Sequence, residues 1–352
     1  MTPSVPVFSP AAPENGPRIV ALGGGHGLAN MLRGLKFYTR NLTAIVTVAD
    51  DGGGSGMLRH DLRMPAPGDI RMCMQALSNA EPLMAQLLDY RFTDGSLSGQ
   101  SFGNLLLAAL NGILSSFDEA VAGMQQVIAI TGQVLPVTTA DVQLKALFEN
   151  GSQVIGESKI CRFKKEQDCR IREIRLIPAS PPALPAAVEA IRQADLILLG
   201  PGSLYTSIIP NLLVKDIAAA IRNSDALKLY ICNIMTQDGE TEGYTAGDHL
   251  AALFAHGGGG LVNYCLANAS PIPPDLLKKY RQEDSEPVIL DRRRVEAMRI
   301  RLIERPLLDP SPEQVRHSPE KLAAAIREIY ESCSIRVFSH REGTRYILES
   351  KS

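Results

Sequence analysis

Three times in this chain a short apolar run ends abruptly in a glycine-rich loop. The runs are RIVAL at Arg18–Leu22, LTAIVTVA at Leu42–Ala49 and DLILL at Asp195–Leu199. The loops are GGGHG at Gly23–Gly27, DDGGGSG at Asp50–Gly56 and GPGSLYTSIIPNL at Gly200–Leu212. Runs this short and this apolar read as strands buried on both faces. Leu28–Leu35 repeats at helical spacing between the first two, so strand, loop, helix and strand form a βαβ unit. A doubly wound α/β core with a mostly parallel sheet is the expected class.

The pattern breaks once and then resumes. Residues 69 to 131 read as mostly helical. Residues 133 to 178 alternate, turn at Asn150-Gly151 and carry a charged stretch from Arg162 to Arg175, which predicts a small antiparallel insertion. Helices are then expected over Leu184–Gln193, Leu212–Arg222 and Thr245–His256, with strands over Leu227–Cys232 and Leu261–Ala267. Residues 271 to 352 form a more charged C-terminal segment with a last helix near Pro319 to Ser332. Residues 1 to 17 hold five prolines and no apolar core of a signal peptide, so they read as a disordered leader. Residues 18 to 352 read as one domain.

The loops carry the chemistry. Gly23, Gly24, Gly25 and Gly27 let the backbone approach a ligand closely, and the helix that follows presents free N–H groups and a positive dipole end. Phosphate is the natural guest. His26 either donates to a phosphate or is a solvated loop histidine. Asp50 and Asp51 can bind a ribose hydroxyl or hold Mg²⁺, while the plainer role for one of them is to cap the next helix. Gly53 and Ser55 sit in the same loop, where Ser55 can donate to phosphate. Gly200 and Gly202 force a sharp exit from the third run, Ser203 and Ser207 bring hydroxyls to that edge, and Asn211 can cap a helix. Loops at the carboxyl ends of parallel strands face one crevice.

Several functions are excluded or weakened. A net charge of -2 gives the chain no overall reason to coat nucleic acid or an anionic membrane. The apolar stretches are too short to span a bilayer, so no membrane insertion is expected. The six cysteines are scattered without a C-x-x-C pair, which suits reduced thiols in a cytoplasmic protein and neither a disulfide scaffold nor zinc. Haem and flavin are likewise not expected. Cys161 and Cys169 could flank a hairpin. Walker A and H-E-x-x-H signatures are missing. A dinucleotide fingerprint is half matched: Gly25-x-Gly27 fits and Asp50 stands where a ribose carboxylate would, but Asn30 replaces the last glycine. That keeps an NAD-dependent dehydrogenase among the alternatives. The arginines from Arg292 to Arg305 read as a solvated face, part of which could border the anion pocket.

Longer strings now matter: VTVADDGGGSG, PAPGDIR, SFGNLLLA, LGPGSLYTSIIPNLLV, YICNIMTQDGETEGYTAGDHL and EPVILD. With them the chain resembles the CofD-like family, and within it the YvcK-like branch of gluconeogenesis factors. The resemblance runs from Arg18 to the last helix. It implies a Rossmann-like three-layer α/β/α sandwich and a homodimer. It implies binding of UDP-N-acetylglucosamine and related UDP-sugars, a role in cell shape and peptidoglycan synthesis on gluconeogenic carbon sources, and a protein partner in envelope synthesis. It adds Asn104 and Asn233, from the matching strings, to the ligand-binding set. It also matches Tyr280 in KKYRQED and Arg316 in VRHSPEK to UDP-sugar contacts, where Tyr280 would stack on uracil and Arg316 would pair with the diphosphate. The enzymes of the family move a 2-phospholactyl group with a divalent metal, so a metal-dependent transferase of that kind is the second function implied. Where the family has GGGTG and DDGGSSG, this chain has His26 and Gly54, each at the expected cost of one hydroxyl near the phosphates.

Overall fold

The computed structural model describes residues 16–80, 82–309 and 313–333. The expected leader lies outside the described residues except for its last two. Among the described residues ten strands form two sheets. The larger is built from β1 (Ile19–Gly23), β2 (Leu42–Val46), β3 (Gln133–Pro136), β7 (Leu196–Leu199), β8 (Leu227–Ile231), β9 (Tyr264–Asn268) and β10 (Arg301–Arg305). The smaller is built from β4 (Gln143–Phe148), β5 (Gln153–Ile155) and β6 (Ile171–Ile177).

The large sheet has the order β10-β9-β8-β7-β1-β2-β3. Every neighbouring pair in it is parallel. Residues of β1, β2 and β7 are buried along their whole length, as unbroken apolar runs in a covered parallel sheet must be. The chain grows outward from β1 through β2 and β3, then returns to the other side of β1 with β7. Strand order therefore reverses between β1 and β7, and ligands of open α/β sheets bind beyond the carboxyl ends at such a point. This is the α/β class with a mostly parallel sheet and a small antiparallel one that the sequence leads one to expect.

The differences are local. Residues 133–136 do not belong to the antiparallel insertion, because β3 pairs with β2 from Thr43↔Gln133 to Val46↔Pro136. The small sheet runs β5-β4-β6, antiparallel throughout, and a helix, Glu157–Gln167, sits between β5 and β6. Cys161 lies on that helix, so Cys161 and Cys169 flank no hairpin, and both are free thiols. The single helix expected over Leu212–Arg222 is two pieces, Ile209–Leu212 and Ile217–Asn223. Asp216 between them has φ of 68°, a left-handed conformation no continuous α-helix permits.

The C-terminal segment is less of a separate cap than its charge suggests. β10 extends the main sheet beside β9, and the helix over 319–333 packs back on the first helix, where Gly34 touches Pro319. The arginine cluster is a paired face: Arg292 Nε meets Glu304 at 2.6 Å, Arg294 meets Asp248 at 2.7 Å and Arg305 meets Glu328 at 2.8 Å. None of these three borders the cleft described below. Among the described residues no single helix is long and apolar enough to cross a membrane. One bent pair, Leu204–Leu212 with Ile217–Asn223, meets that test jointly, but its leucines and isoleucines are core residues here.

Candidate ligand cleft at the sheet switch point

β1 stops at Gly23 and the helix Gly25–Leu35 starts at once. Gly25 takes φ of 62°, a conformation that favours glycine. Beside it, the exit from β7 passes through Gly200 at φ 78° and Gly202 at φ 147°. The two loops touch backbone to backbone. A Cβ on Gly27 would lie 2.6 Å from Pro201 O and 2.9 Å from Gly202 Cα. Glycine is required at position 27 for that close approach, more than for any turn.

Side chains pin this pair of loops from behind. Asn211 is fully buried, and its Nδ2 donates to Gly23 O (3.1 Å) and Ser207 O (2.8 Å). Asn233, just past β8, grips the Gly202 peptide at both ends: Oδ1 accepts from Gly202 N (3.1 Å) and Nδ2 donates to Gly202 O (2.8 Å). Ser203 Oγ donates to Gln237 Oε1 at 2.8 Å. The chain from Leu204 to Ile208 forms a π-helical turn, a feature often found at functional sites. Fully buried Glu240 anchors it, accepting from Thr206 Oγ1 (2.8 Å) and Tyr205 N (3.3 Å). Burial pushes the Glu240 carboxyl up to about 7 against these hydrogen bonds, which pull it down.

In front of the loops lies a cleft of about 700 Å³, within the size range of small-molecule sites. Of the expected residues, Gly24, Gly25, His26, Gly27, Asp50, Gly202, Ser203, Ser207, Asn233, Tyr280 and Arg316 line it. Tyr280 and Arg316 come from distant stretches and are tied together, since Tyr280 Oη accepts from Val315 N at 3.1 Å. Tyr280 also packs on a small apolar cluster with Ile234, Leu276 and Val315. The His26 imidazole is pushed below its usual range, first by burial and then by the Arg316 charge. A larger hollow of about 1030 Å³ lies at the amino ends of β1, β7 and β8, around the Arg18–Asp195 ion pair. It holds none of the glycine loops, and the carboxyl edge is where backbone donors converge, so the smaller cleft is the functional candidate.

Seven expected residues do not line the cleft. Gly23 and Gly200 end their strands behind it, and Asn211 is spent on holding the loops. Gly53 is not among the residues that line it. Asn104 Nδ2 donates to Ser55 Oγ at 3.4 Å while Asn104 Oδ1 accepts from Arg71 Nε at 3.0 Å, so Ser55 and Asn104 buttress the second loop from the rear. Asp51 does not line the cleft. Its Oδ1 accepts from Ser158 N at 2.9 Å, in the first turn of the helix Glu157–Gln167. The aspartates thus divide into one that lines the cleft and one that caps a helix, but the capped helix belongs to the insertion and not to the segment that follows in sequence. The loss of a hydroxyl at Gly54 also falls outside the cleft. A Cβ there would lie 2.8 Å from Gln100 Oε1 and 3.1 Å from Gly99 O, so a serine does not fit without movement.

Two carboxyls that sequence reasoning missed complete the site. Asp69, in the first turn of the helix Gly68–Leu77, accepts from the Gly25 N–H. Burial, then the Asp50 charge, push it up to about 7. Glu157 opens the helix of the insertion, bonds to Asp50, and is pushed up to about 9 by burial first and by Asp50 and Asp69 after. Asp69 carried a usable signal, an acid directly after Pro-Gly at a helix start. Glu157 carried none, because a fold-level contact brings the insertion to the second loop.

The arrangement defines a doubly wound α/β protein with a candidate ligand cleft at its switch point, backed by two helix-initiating glycine loops and faced by an arginine and a tyrosine. The chain belongs to the CofD family. The family model for 2-phospho-L-lactate transferase CofD matches residues 19–308. A relative from Thermoanaerobacterium thermosulfurigenes is 52% identical over 317 residues, covering 90% of this chain and 98% of that one. The gluconeogenesis factor of Bacillus subtilis (strain 168) is 45% identical over 314 residues, covering 89% and 98%. A crystal structure of a UPF0052 family member from Bacillus halodurans superposes with a TM-score of 0.84 at 45% identity, covering 88% of this chain and 98% of that one.

Proposed function

We propose that this protein binds a UDP-sugar, with UDP-N-acetylglucosamine as the reference ligand, and acts in the cytoplasm as a regulator and not as an enzyme. The observation that carries the reading is the meeting of Arg316 and Tyr280 with the two glycine loops around one cleft. The diphosphate lies over the amino end of the helix Gly25–Leu35 and within reach of Ser207, where backbone and hydroxyl donors favour an anion. Arg316 pairs with it and Tyr280 stacks on the base. Ligand binding orders the segment carrying both residues. A partner in envelope synthesis reads that state and links growth on gluconeogenic carbon to cell shape. The homodimer belongs to the same proposal.

Mg²⁺ fits this site in one way. Among the described residues no group of three or more His, Cys, Asp or Glu is arranged to hold a metal by itself. Asp50 and Asp69 with phosphate oxygens match the pattern of one or two carboxylates plus substrate that suits Mg²⁺. Asp51 is excluded from that set by its helix cap. The ion would supply charge neutralisation between acids and diphosphate.

Calorimetric titration of the full chain with UDP-N-acetylglucosamine, with GDP and NADH as competitors, tests the reading. Micromolar binding is expected, weakened about 10- to 100-fold in Arg316→Ala, because a charge-assisted hydrogen bond is lost. Binding of GDP or NADH in place of the UDP-sugar overturns it. One observation favours a second reading, a metal-dependent transferase of the 2-phospholactyl kind: Glu157, its carboxyl pushed up by burial and by Asp50, is bonded to Asp50 beside the anion loops, where it could serve a leaving group as an acid. Robust turnover of a nucleotide donor, abolished in Asp50→Asn, would select it.

A further inference from the structure

Next to Arg316 the chain buries a side chain that the reading above leaves without a role. His317 lines the cleft with only 7% of its surface exposed. Its place is fixed through the backbone: Asn30 Nδ2 donates to His317 O at 2.5 Å, and His317 forms an antiparallel bridge with Leu308. Its ring bonds to the backbone carbonyl of Cys232, just beyond β8. A carbonyl can only accept, so the ring nitrogen facing it carries the proton. The other nitrogen, Nε2, has no hydrogen-bond partner among the described residues. Burial keeps the ring neutral, its pKa pushed down to about 4. A neutral imidazole protonated at Nδ1 offers one lone pair, at Nε2. A buried acceptor with no partner is uncommon in a folded protein and asks for an explanation.

We propose that His317 Nε2 accepts a hydrogen bond from an N–H or O–H donor on the bound ligand and so selects ligands that carry a donor at that point. The identity of the ligand rests on the UDP-sugar reading. In a UDP-sugar the shared chemistry, a neutral donor, comes from two sources, the uracil N3–H or a hydroxyl or amide N–H of the sugar. Diphosphate oxygens at neutral pH only accept, and they would face the lone pair of Nε2. His317 therefore marks the base or sugar end of the cleft, and Arg316 beside it marks the diphosphate.

Calorimetry on the full chain tests this with UDP-N-acetylglucosamine, its 3-deazauracil analogue, in which C–H replaces N3–H, and analogues lacking single sugar donors. One donor-deleted ligand is expected to bind wild type at least about tenfold more weakly. That penalty should fall below about threefold in His317→Phe, which lacks the acceptor, and persist in His317→Gln, which keeps one. The ligand that behaves so names the source. Equal penalties in wild type and His317→Phe for every analogue overturn the assignment while leaving UDP-sugar binding intact. If UDP-N-acetylglucosamine itself does not bind, both readings fall together. Should the variants not fold, long-range ¹H–¹⁵N correlation on wild type gives the same answer. The Nε2 signal of the free chain should be that of an unprotonated nitrogen and should move on adding UDP-N-acetylglucosamine. An Nε2 signal unmoved by bound ligand, as expected if only a trapped water fills the site, overturns the proposal.

Discussion

Gly27→Ala should cost about 2–3 kcal/mol of stability and weaken ligand binding more than about tenfold. The new methyl would lie 2.6 Å from Pro201 O and 2.8 Å from Pro201 C. Both are backbone atoms, and no rotamer change relieves the overlap. Alanine gains up to about 1 kcal/mol over glycine within a helix, so the sign depends on which effect is larger. Overpacking against a backbone pinned by Asn211 and Asn233 is the larger. Gly112→Ala is the internal control: it lies on the helix Phe102–Ile113 with no atom within 4 Å of a Cβ, so only the helical gain applies. Denaturant unfolding of the two variants reads the contrast. Equal effects in both would mean that the two loops are not held in contact.

Asp69→Asn should stabilise the protein at pH 8, by up to about 4 kcal/mol. The folded carboxyl is raised to about 7 from its ordinary 3.8, mainly by burial and then by Asp50. An acid raised on folding favours the native state at low pH, and this contribution is lost as pH climbs through the folded value of about 7. Above that, the native state holds a buried charge that the unfolded chain keeps in water. Asparagine keeps an oxygen for the Gly25 N–H and removes the charge. The gain should therefore shrink as pH falls through 7 and vanish near 4. Thermal melts of wild type and variant across that range check it. A variant no more stable than wild type at pH 8 would show that Asp69 is ionised at little cost, held by a partner other than Gly25.

The sheet was readable in the sequence wherever burial was complete. β1 and β7 are unbroken apolar runs with glycine at or just beyond their ends, β2 is apolar apart from Thr43, and each lies within a few residues of its expected place. β10 was missed because Arg301–Arg305 is an edge strand with charged, partly exposed residues, which look no different from a charged loop. β3 was assigned to the wrong sheet, since four residues say nothing about which neighbour they pair with. At the site, the residues facing the ligand and those holding them in place are the same kinds of residue. Asn211 and Asn233 both sit near strand ends, yet Asn211 lies behind the loops while Asn233 both grips Gly202 and borders the cleft. Asp50 and Asp51 are adjacent, yet Asp50 borders the cleft while Asp51 accepts from Ser158 N. Glu157 was invisible because the insertion that carries it reaches the second loop only through the tertiary fold. His317 was hidden next to Arg316, since burial and a missing partner are not properties of a sequence.

The central claim is that the loops after β1 and β7, with the segment holding Arg316 and His317, form one ligand site. Hydrogen–deuterium exchange of the full chain, with and without saturating UDP-N-acetylglucosamine, tests it most directly. Protection is predicted in three separate stretches at once: Gly23–Gly27, Gly202–Ser207 and residues 313–317. Protection confined to the amino ends of β1, β7 and β8, around Arg18 and Asp195, or to one of the three stretches alone, would contradict the account.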